Sequence, residues 1–590
     1  MSKLSRYSLA LLFALTAILG ACSEDSTDAT TDGTDGSTAT TATDGADGTE
    51  TTDTSDTTDA IDTTDATDTA DAADTTDATD TADAADAIDA TDATDTADAT
   101  DTADATDITD ATDAADASDG ITPDAVSYAF TSRDGSGASS VSYSGQTARH
   151  ALIWELNNFI NGLSAAIDGG LEINADQDLV TLLDFYFRFD SESNADYELK
   201  VTLDPAVKQA TINDISSGKN IYGKIAGNDP ATDHKDWFTA FSGWADTSIA
   251  ANGGGIDNPE NLVIAFFETL EEQAIARTNG TQAQGPNGED LPVFVTADGL
   301  DLKQLTQKFI LGAVCFSQAA DDYLDGGSEI AVGNDGKGLL ADHSKLYEKD
   351  GSTKTYTALE HQWDEGFGYF GAARDYDAYT DEEIAKKGGK PDWQGYHDSN
   401  QDQVIDLKSE FNWGASTNAA KRDIGAAALA PELGIDFTKM AFDGFLAGRA
   451  LLAGTTDSLT AEEFEELQGY AVAALNGWEH AIAATVVHYI NDTLQDMAKI
   501  GTADYSFADH AKHWAELKGF ALGFQFRPDS PMNANGNFDN FHSLVGDKPV
   551  FDAAGLADYQ ADLIAARALL ADAYQFDTLL LGDDNGEGGW

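Results

Sequence analysis

From Asp53 through Asp119 an aspartate stands at every third position, and between Ser23 and Ala125 there is no Lys or Arg. Thr and Ala fill the gaps, so the stretch has too little apolar surface to offset the entropy of ordering it. A helix is disfavoured as well, because Asp and Thr are weak helix formers and the period sets like charges on neighbouring turns. In polyproline II, with three residues per turn, the carboxylates line one edge. Residues 22–125 are therefore expected to form a disordered acidic tether, about 50–60 Å across as a neutral coil and about 300 Å when self-repulsion stretches it. Its plainest role is a solvated spacer; a sharper one is a low-affinity store of divalent cations.

Residues 1–21 read as a signal peptide, with Lys3 and Arg6 ahead of an apolar run, Leu9 to Leu19, that is shorter than the roughly 20 residues of a bilayer span. The run ends in Leu19-Gly20-Ala21-Cys22, which resembles the lipobox of bacterial lipoproteins. That resemblance implies cleavage before Cys22, its acylation, and a membrane partner reached through the lipid anchor. Ser23 stands where an inner-membrane retention signal has Asp, so the expected location is the outer membrane, facing periplasm or cell surface.

The chain holds 105 acidic and 32 basic residues. With 32 of the acids in the tether and two of the bases in the leader, the body at 126–590 keeps a net charge near −43. This argues against nucleic acid as a partner, since phosphate contacts need a basic surface. Cys22 being used by the lipid, Cys315 stands alone in an apolar stretch and is read as a core thiol.

Apolar residues in the body recur at three- and four-residue steps, as in Leu152, Leu156, Phe159, Ile160 and Leu163 after Ser144. The same reading gives helices over 177–187, 261–277, 302–324, 356–370, 437–452, 461–498, 508–525 and 557–576. Only Leu199 to Leu203 and Leu291 to Val295 alternate like strands. The expectation is an all-α helical bundle with long irregular loops, of a length that admits two lobes, with the clearest break at Asn279 to Gly288.

The most specific pattern is Glu360-His361-Gln362-Trp363-Asp364-Glu365-Gly366-Phe367-Gly368-Tyr369-Phe370-Gly371. It resembles the signature of the domain of unknown function 4856, found in exported bacterial lipoproteins. Ser142-Tyr143-Ser144-Gly145-Gln146-Thr147, Trp478-Glu479-His480, His488-Tyr489-Ile490-Asn491 and Phe524-Gln525-Phe526-Arg527-Pro528 agree, so the resemblance spans nearly the whole body. More distantly the chain is similar to imelysin-like lipoproteins, helical proteins linked with iron uptake and once proposed as peptidases. Their Gly-x-His-x-x-Glu signature finds His361 here, but Leu359 and Asp364 replace its Gly and Glu.

The residues themselves offer two cation sites. His361 and Glu365 share a helix face at i and i+4, with Asp364 one step round, a donor set suited to iron or zinc; His488, on another long helix, could complete it from a facing position. In the second, Asp398, Asn400, Asp402 and Asp406 place oxygens at positions 1, 3, 5 and 9 of a calcium-like loop, with the Val404 carbonyl at 7 and Ile405 as its apolar anchor. Gln403 takes the usual Gly position, and the closing acid, Glu410, comes one residue late. No metalloprotease, serine-hydrolase, phosphate-cradling or dinucleotide motif is present. The functional expectation is a metal- or ligand-binding envelope lipoprotein serving iron acquisition, with a metallopeptidase built on His361 and Glu365, or a surface adhesion module, as alternatives.

Overall fold

The computed structural model describes residues 127–174, 178–229, 234–246, 248–249, 256–326 and 336–590. The leader, Cys22 and the Asp-rich tether lie outside these residues.

The body is mostly helical. Helix α1 (Ser144–Asp168) buries Leu152, Leu156, Phe159, Ile160 and Leu163, the stripe its spacing predicts. It is followed by α2 (Leu179–Phe187) and α3 (Pro259–Thr278), both started by a side chain that accepts a backbone N–H of the first turn: Asp178 from Thr181, and Asn258 from Asn261. Helix α4 (Leu302–Ile310) is continued by two wide π-helical turns, Leu311–Phe316 and Gln318–Tyr323, so the single helix expected over 302–324 changes its winding part way.

A small antiparallel hairpin, β1 (Leu346–Lys349) and β2 (Ser352–Thr357), leads directly into α5 (Ala358–Phe370). Then come α6 (Gly414–Leu429), α7 (Phe437–Gly454), the long α8 (Ala461–Lys499), α9 (Phe507–Ala521), α10 (Asn537–Val545) and α11 (Leu556–Tyr574). Helices α7 and α8 press together through small residues. A Cβ on Gly444 would stand 2.6 Å from the Ala474 nitrogen, and one on Gly477 would stand 2.5 Å from that of Ala441.

One continuous apolar cluster runs from Tyr128 to Trp590, with a small satellite around Leu291, Val295, Phe507 and Ala511. Charged groups inside it are paired across elements. Lys308 on α4 meets Glu516 on α9 at 3.2 Å, and Glu479 on α8 accepts hydrogen bonds from Arg527, Ser530 and Tyr574. Cys315 is buried with its Sγ 3.9 Å from His150 Nδ1, and burial pushes its thiol pKa up, away from nucleophilic use.

The two alternating runs are not strands. Around Leu199 to Leu203 the chain makes only the bridge Glu198 to Thr211, and around Leu291 to Val295 only Val295 to Asp301 and Gln284 to Asp290. Without a second extended segment beside them, the alternation reflects one-sided burial on the helices rather than a ladder. Among the described residues no helix is long and apolar enough to cross a membrane.

Candidate functional site

Helix α5 begins with a reciprocal cap. Thr357 Oγ1 accepts the Glu360 N–H at 3.1 Å, while Glu360 Oε2 accepts the Thr357 N–H at 2.7 Å. The other Glu360 oxygen accepts from Arg449 Nη1 at 2.9 Å, and Arg449 Nε donates to Asp364 Oδ1 at 2.9 Å. Tyr128 donates its hydroxyl to the same Asp364 oxygen, and the Ser142 N–H donates to the second, both at 2.9 Å. Burial pushes the Asp364 pKa up, while Arg449 and these donors pull it back. Asp364 is thus a buried structural acid whose two oxygens are both engaged, and it faces Arg449 on α7 rather than joining His361.

The opposite face of α5 is partly open. His361 donates from Nδ1 to the Ser142 carbonyl at 3.0 Å, which leaves Nε2 on the outer side, 3.8 Å from Glu365 Oε2; the two side chains are 20% and 19% exposed. The His361 ring stacks on Tyr356 with centroids 4.7 Å apart. Glu365 accepts from Gln146 Nε2 at 3.0 Å and from Gln362 Nε2 at 3.5 Å. Lys219, Tyr323 and Tyr356 lie within its electrostatic reach; burial and Arg149 hold the Lys219 pKa below its usual range.

The start of α1 packs directly on this helix. A Cβ on Gly368 would fall 2.6 Å from the Tyr143 Cβ, so the glycine permits the approach. His150 donates from Nε2 to the Gly368 carbonyl at 3.1 Å and stacks on Trp413, and burial lowers its pKa to about 4, keeping it neutral. The Ser142–Thr147 and Glu360–Gly371 segments, more than two hundred residues apart, therefore form one unit.

His488 belongs to a different cluster. Its Nε2 lies 3.3 Å from Asp492 Oδ2 on α8, and His513 from α9 shares that carboxylate. Helices α5 and α8 meet where Phe370 packs on Trp478, well short of both histidines. In the structure His361 and His488 each stand beside a carboxylate at i+4 on their own helix.

The Asp398 loop has the turn geometry its spacing predicts. Asp398 accepts the N–H groups of Asp402 and Gln403 at 3.0 and 2.7 Å, and Asn400 and Asp402 each cap the residue two further on. Gln403 adopts the left-handed conformation, at φ 68°, where such loops usually carry Gly, and Gln401 does so at φ 61°. Ile405 is buried and bridges to Val207, the anchor expected of it. Glu410, however, accepts from the Ser399 and Asp406 N–H groups at 3.0 and 2.8 Å. Lys208 Nζ stands 3.4 Å from both Asp402 and Asp406, and Gln209 donates to Asp406 at 2.7 Å. No hydrogen bond assigns the Val404 carbonyl. Among the described residues no group of three or more His, Cys, Asp or Glu side chains is placed so that it could hold a metal ion.

Sequence reasoning did not find Arg449 and Tyr128, which lock α5 from remote segments and carry no local signal; Gln146 stands in a segment the sequence singles out, but its contact with Glu365 is not local. Asp492 and Asp496 do carry one, since they follow His488 at i+4 and i+8. His513 has none, because only the packing of α9 on α8 brings it there.

Residues 125–395 match the family described as Domain of unknown function (DUF4856). Both halves of the packed α1–α5 unit fall inside the match, whereas Arg449 and the later pieces at Trp478, His488 and Phe524 lie beyond it. No curated protein and no solved structure matches the chain.

Proposed function

We propose that this protein is an outer-membrane lipoprotein, anchored through acylated Cys22, whose helical body captures a metal-bearing ligand at His361 and Glu365 in the service of iron acquisition. The observation that carries this reading is the contrast within α5: one face is fixed by the buried Arg449 cluster, while the other offers an imidazole nitrogen and a carboxylate 3.8 Å apart, about one-fifth exposed and backed by Tyr356. An imidazole with a carboxylate suits a borderline or ferric ion. Two donors fill only part of a coordination sphere, so the best-fitting ligand is an ion that brings its remaining ligands along, as water or a small chelator. Titration calorimetry of the full-length chain with ferric citrate tests this. His361→Ala and Glu365→Gln should each weaken binding at least about tenfold; heats identical in wild type and both variants would end the reading.

A second reading concerns calcium at the Asp398 loop, favoured by the left-handed turns at Gln401 and Gln403. The ion would have to displace the Lys208 ammonium and draw Glu410 from its backbone donors. A melting temperature that is the same in calcium and in chelator would count against it.

A further inference from the structure

Arg149, on the second turn of α1, is only 7% exposed, yet its guanidinium meets no carboxylate. Nε donates to the Asn220 carbonyl at 2.8 Å and Nη1 to the Gly145 carbonyl at 3.1 Å; among the described residues it has no ion pair, and Nη2 makes no hydrogen bond. The chain has 105 acids for 32 bases, and the buried cations Arg449, Arg527, Lys308 and Lys518 each face one of those acids. A charge taken out of water without a counter-ion is costly, so Arg149 calls for an anion from outside the chain.

Lys219 converges on the same place. A Cβ on Gly145 would stand 3.0 Å from Lys219 Cε and 3.5 Å from Arg149 Nη1, so both side chains lie against the first turn of α1. The turn that carries Lys219 is pinned there by the Asn220 carbonyl and shaped by Asn220 Oδ1, which accepts the Gly223 N–H at 2.8 Å. Lys219 is partly exposed and, among the described residues, has no hydrogen bond or ion pair of its own. Lys224 and Lys349 lie within its electrostatic reach, as does the Glu365 carboxylate, which Gln146 holds at 3.0 Å.

The helix start beside these cations is open. Tyr143 gives it no side-chain cap, and no acid stands in its first turn. The Tyr143 carbonyl accepts the Gln146 and Thr147 N–H groups, whereas those of Ser144 and Gly145 meet no acceptor among the described residues. Such groups sit at the positive end of the helix dipole and favour an anion. The segment is held in place from α5, through Ser142, whose N–H donates to Asp364 and whose carbonyl accepts from His361. Tyr369, fully buried with a hydroxyl that has no hydrogen-bond partner, lies within the electrostatic reach of Arg149.

We propose that the first turn of α1, together with Arg149 and Lys219, is a binding site for a small oxyanion, a carboxylate or a phosphate group. The guanidinium offers a planar fork with an unused nitrogen, Lys219 a mobile point charge, and the Ser144 and Gly145 N–H groups a fixed dipole. The site takes no donor from His361 or Glu365, so it stands apart from the metal-bearing ligand assigned to α5.

Titration calorimetry of the full-length chain with sodium phosphate and, separately, with sodium succinate tests the assignment, both anions being offered without added metal. Wild type should give a saturable heat with at least one of them, and the tighter of the two names the group. Lys219→Met, a partly exposed position expected to fold, should weaken binding at least about tenfold; circular dichroism checks the fold. Arg149→Lys keeps the charge but loses the fork and should weaken binding as well. Lys499→Met removes the same charge from the end of α8 and should leave the heats unchanged. No saturable heat with either anion, equal affinity in Lys219→Met and wild type, or an equal loss in Lys499→Met would each overturn the proposal. His361→Ala should also leave the heats unchanged; if it abolishes them, the anion belongs to the α5 pair and the proposal falls, so its failure is read separately from that of the α5 reading.

Discussion

Helices α5 and α8 carry the same local pairing, a histidine four residues ahead of a carboxylate, and the fold treats the two differently. On α5 the hydrogen-bond partners of the pair are neutral: the Ser142 carbonyl takes one ring nitrogen, and the amides of Gln146 and Gln362 donate to the Glu365 oxygens. On α8 the carboxylate is shared with a second imidazole from α9, and that imidazole is held by a further carboxylate. Spacing along a helix makes a pair; only packing against a second helix brings a further imidazole to it.

The comparison can be broken most forcefully from behind α5. Arg449→Met leaves Asp364 and Glu360 buried without their cation, and should destabilise the chain by about 3–5 kcal/mol in urea unfolding while the His–Asp pairs on α8 persist in whatever fraction stays folded. Gly368→Ala drives a methyl into Tyr143, for an expected loss of about 1–3 kcal/mol. The same variant should weaken ligand capture at His361, because α1 is pushed away from α5; an unchanged melting temperature would contradict the packing.

A smaller effect should separate the helices along the pH axis. His513 has its folded pKa lifted to about 10 from an ordinary value of 6.5. Its stabilising contribution is therefore fully present below pH 6.5 and is lost as pH rises through about 10. The difference in stability between wild type and His513→Gln should shrink over that range, and one that stays constant would refute the ion cluster on α8. His361→Ala should be the mildest change, within about 0.5 kcal/mol in stability, since a partly exposed side chain is removed from a helix held by other groups. A large drop in its melting temperature would mean that His361 is structural and that the α5 face is no site.

How much of this was legible depended on the size of the side chains involved. Helices α7 and α8 announce themselves through large apolar residues at helical steps, and the reading of 437–452 and 461–498 agrees closely with Phe437–Gly454 and Ala461–Lys499. Helix α6 was missed because its buried face is Ser416, Thr417, Ala419, Ala420 and Asp423, small or polar residues that leave no apolar stripe. The hairpin before α5 escaped for a related reason: its exposed strands have little to alternate. In the site, His361 and Glu365 were readable because their relation is local. The fate of Asp364 was not, since its partners Tyr128, Ser142 and Arg449 are 236, 222 and 85 residues away.

Lys208 gives the Asp398 loop a counter-ion of its own. With that ammonium set between Asp402 and Asp406, and with Glu410 closing the loop through backbone donors, part of the turn's negative charge is offset from within the chain. Any calcium that enters therefore competes with an ammonium already seated between two of the carboxylates, and the backbone hydrogen bonds to Asp398 and Glu410 hold the turn without it.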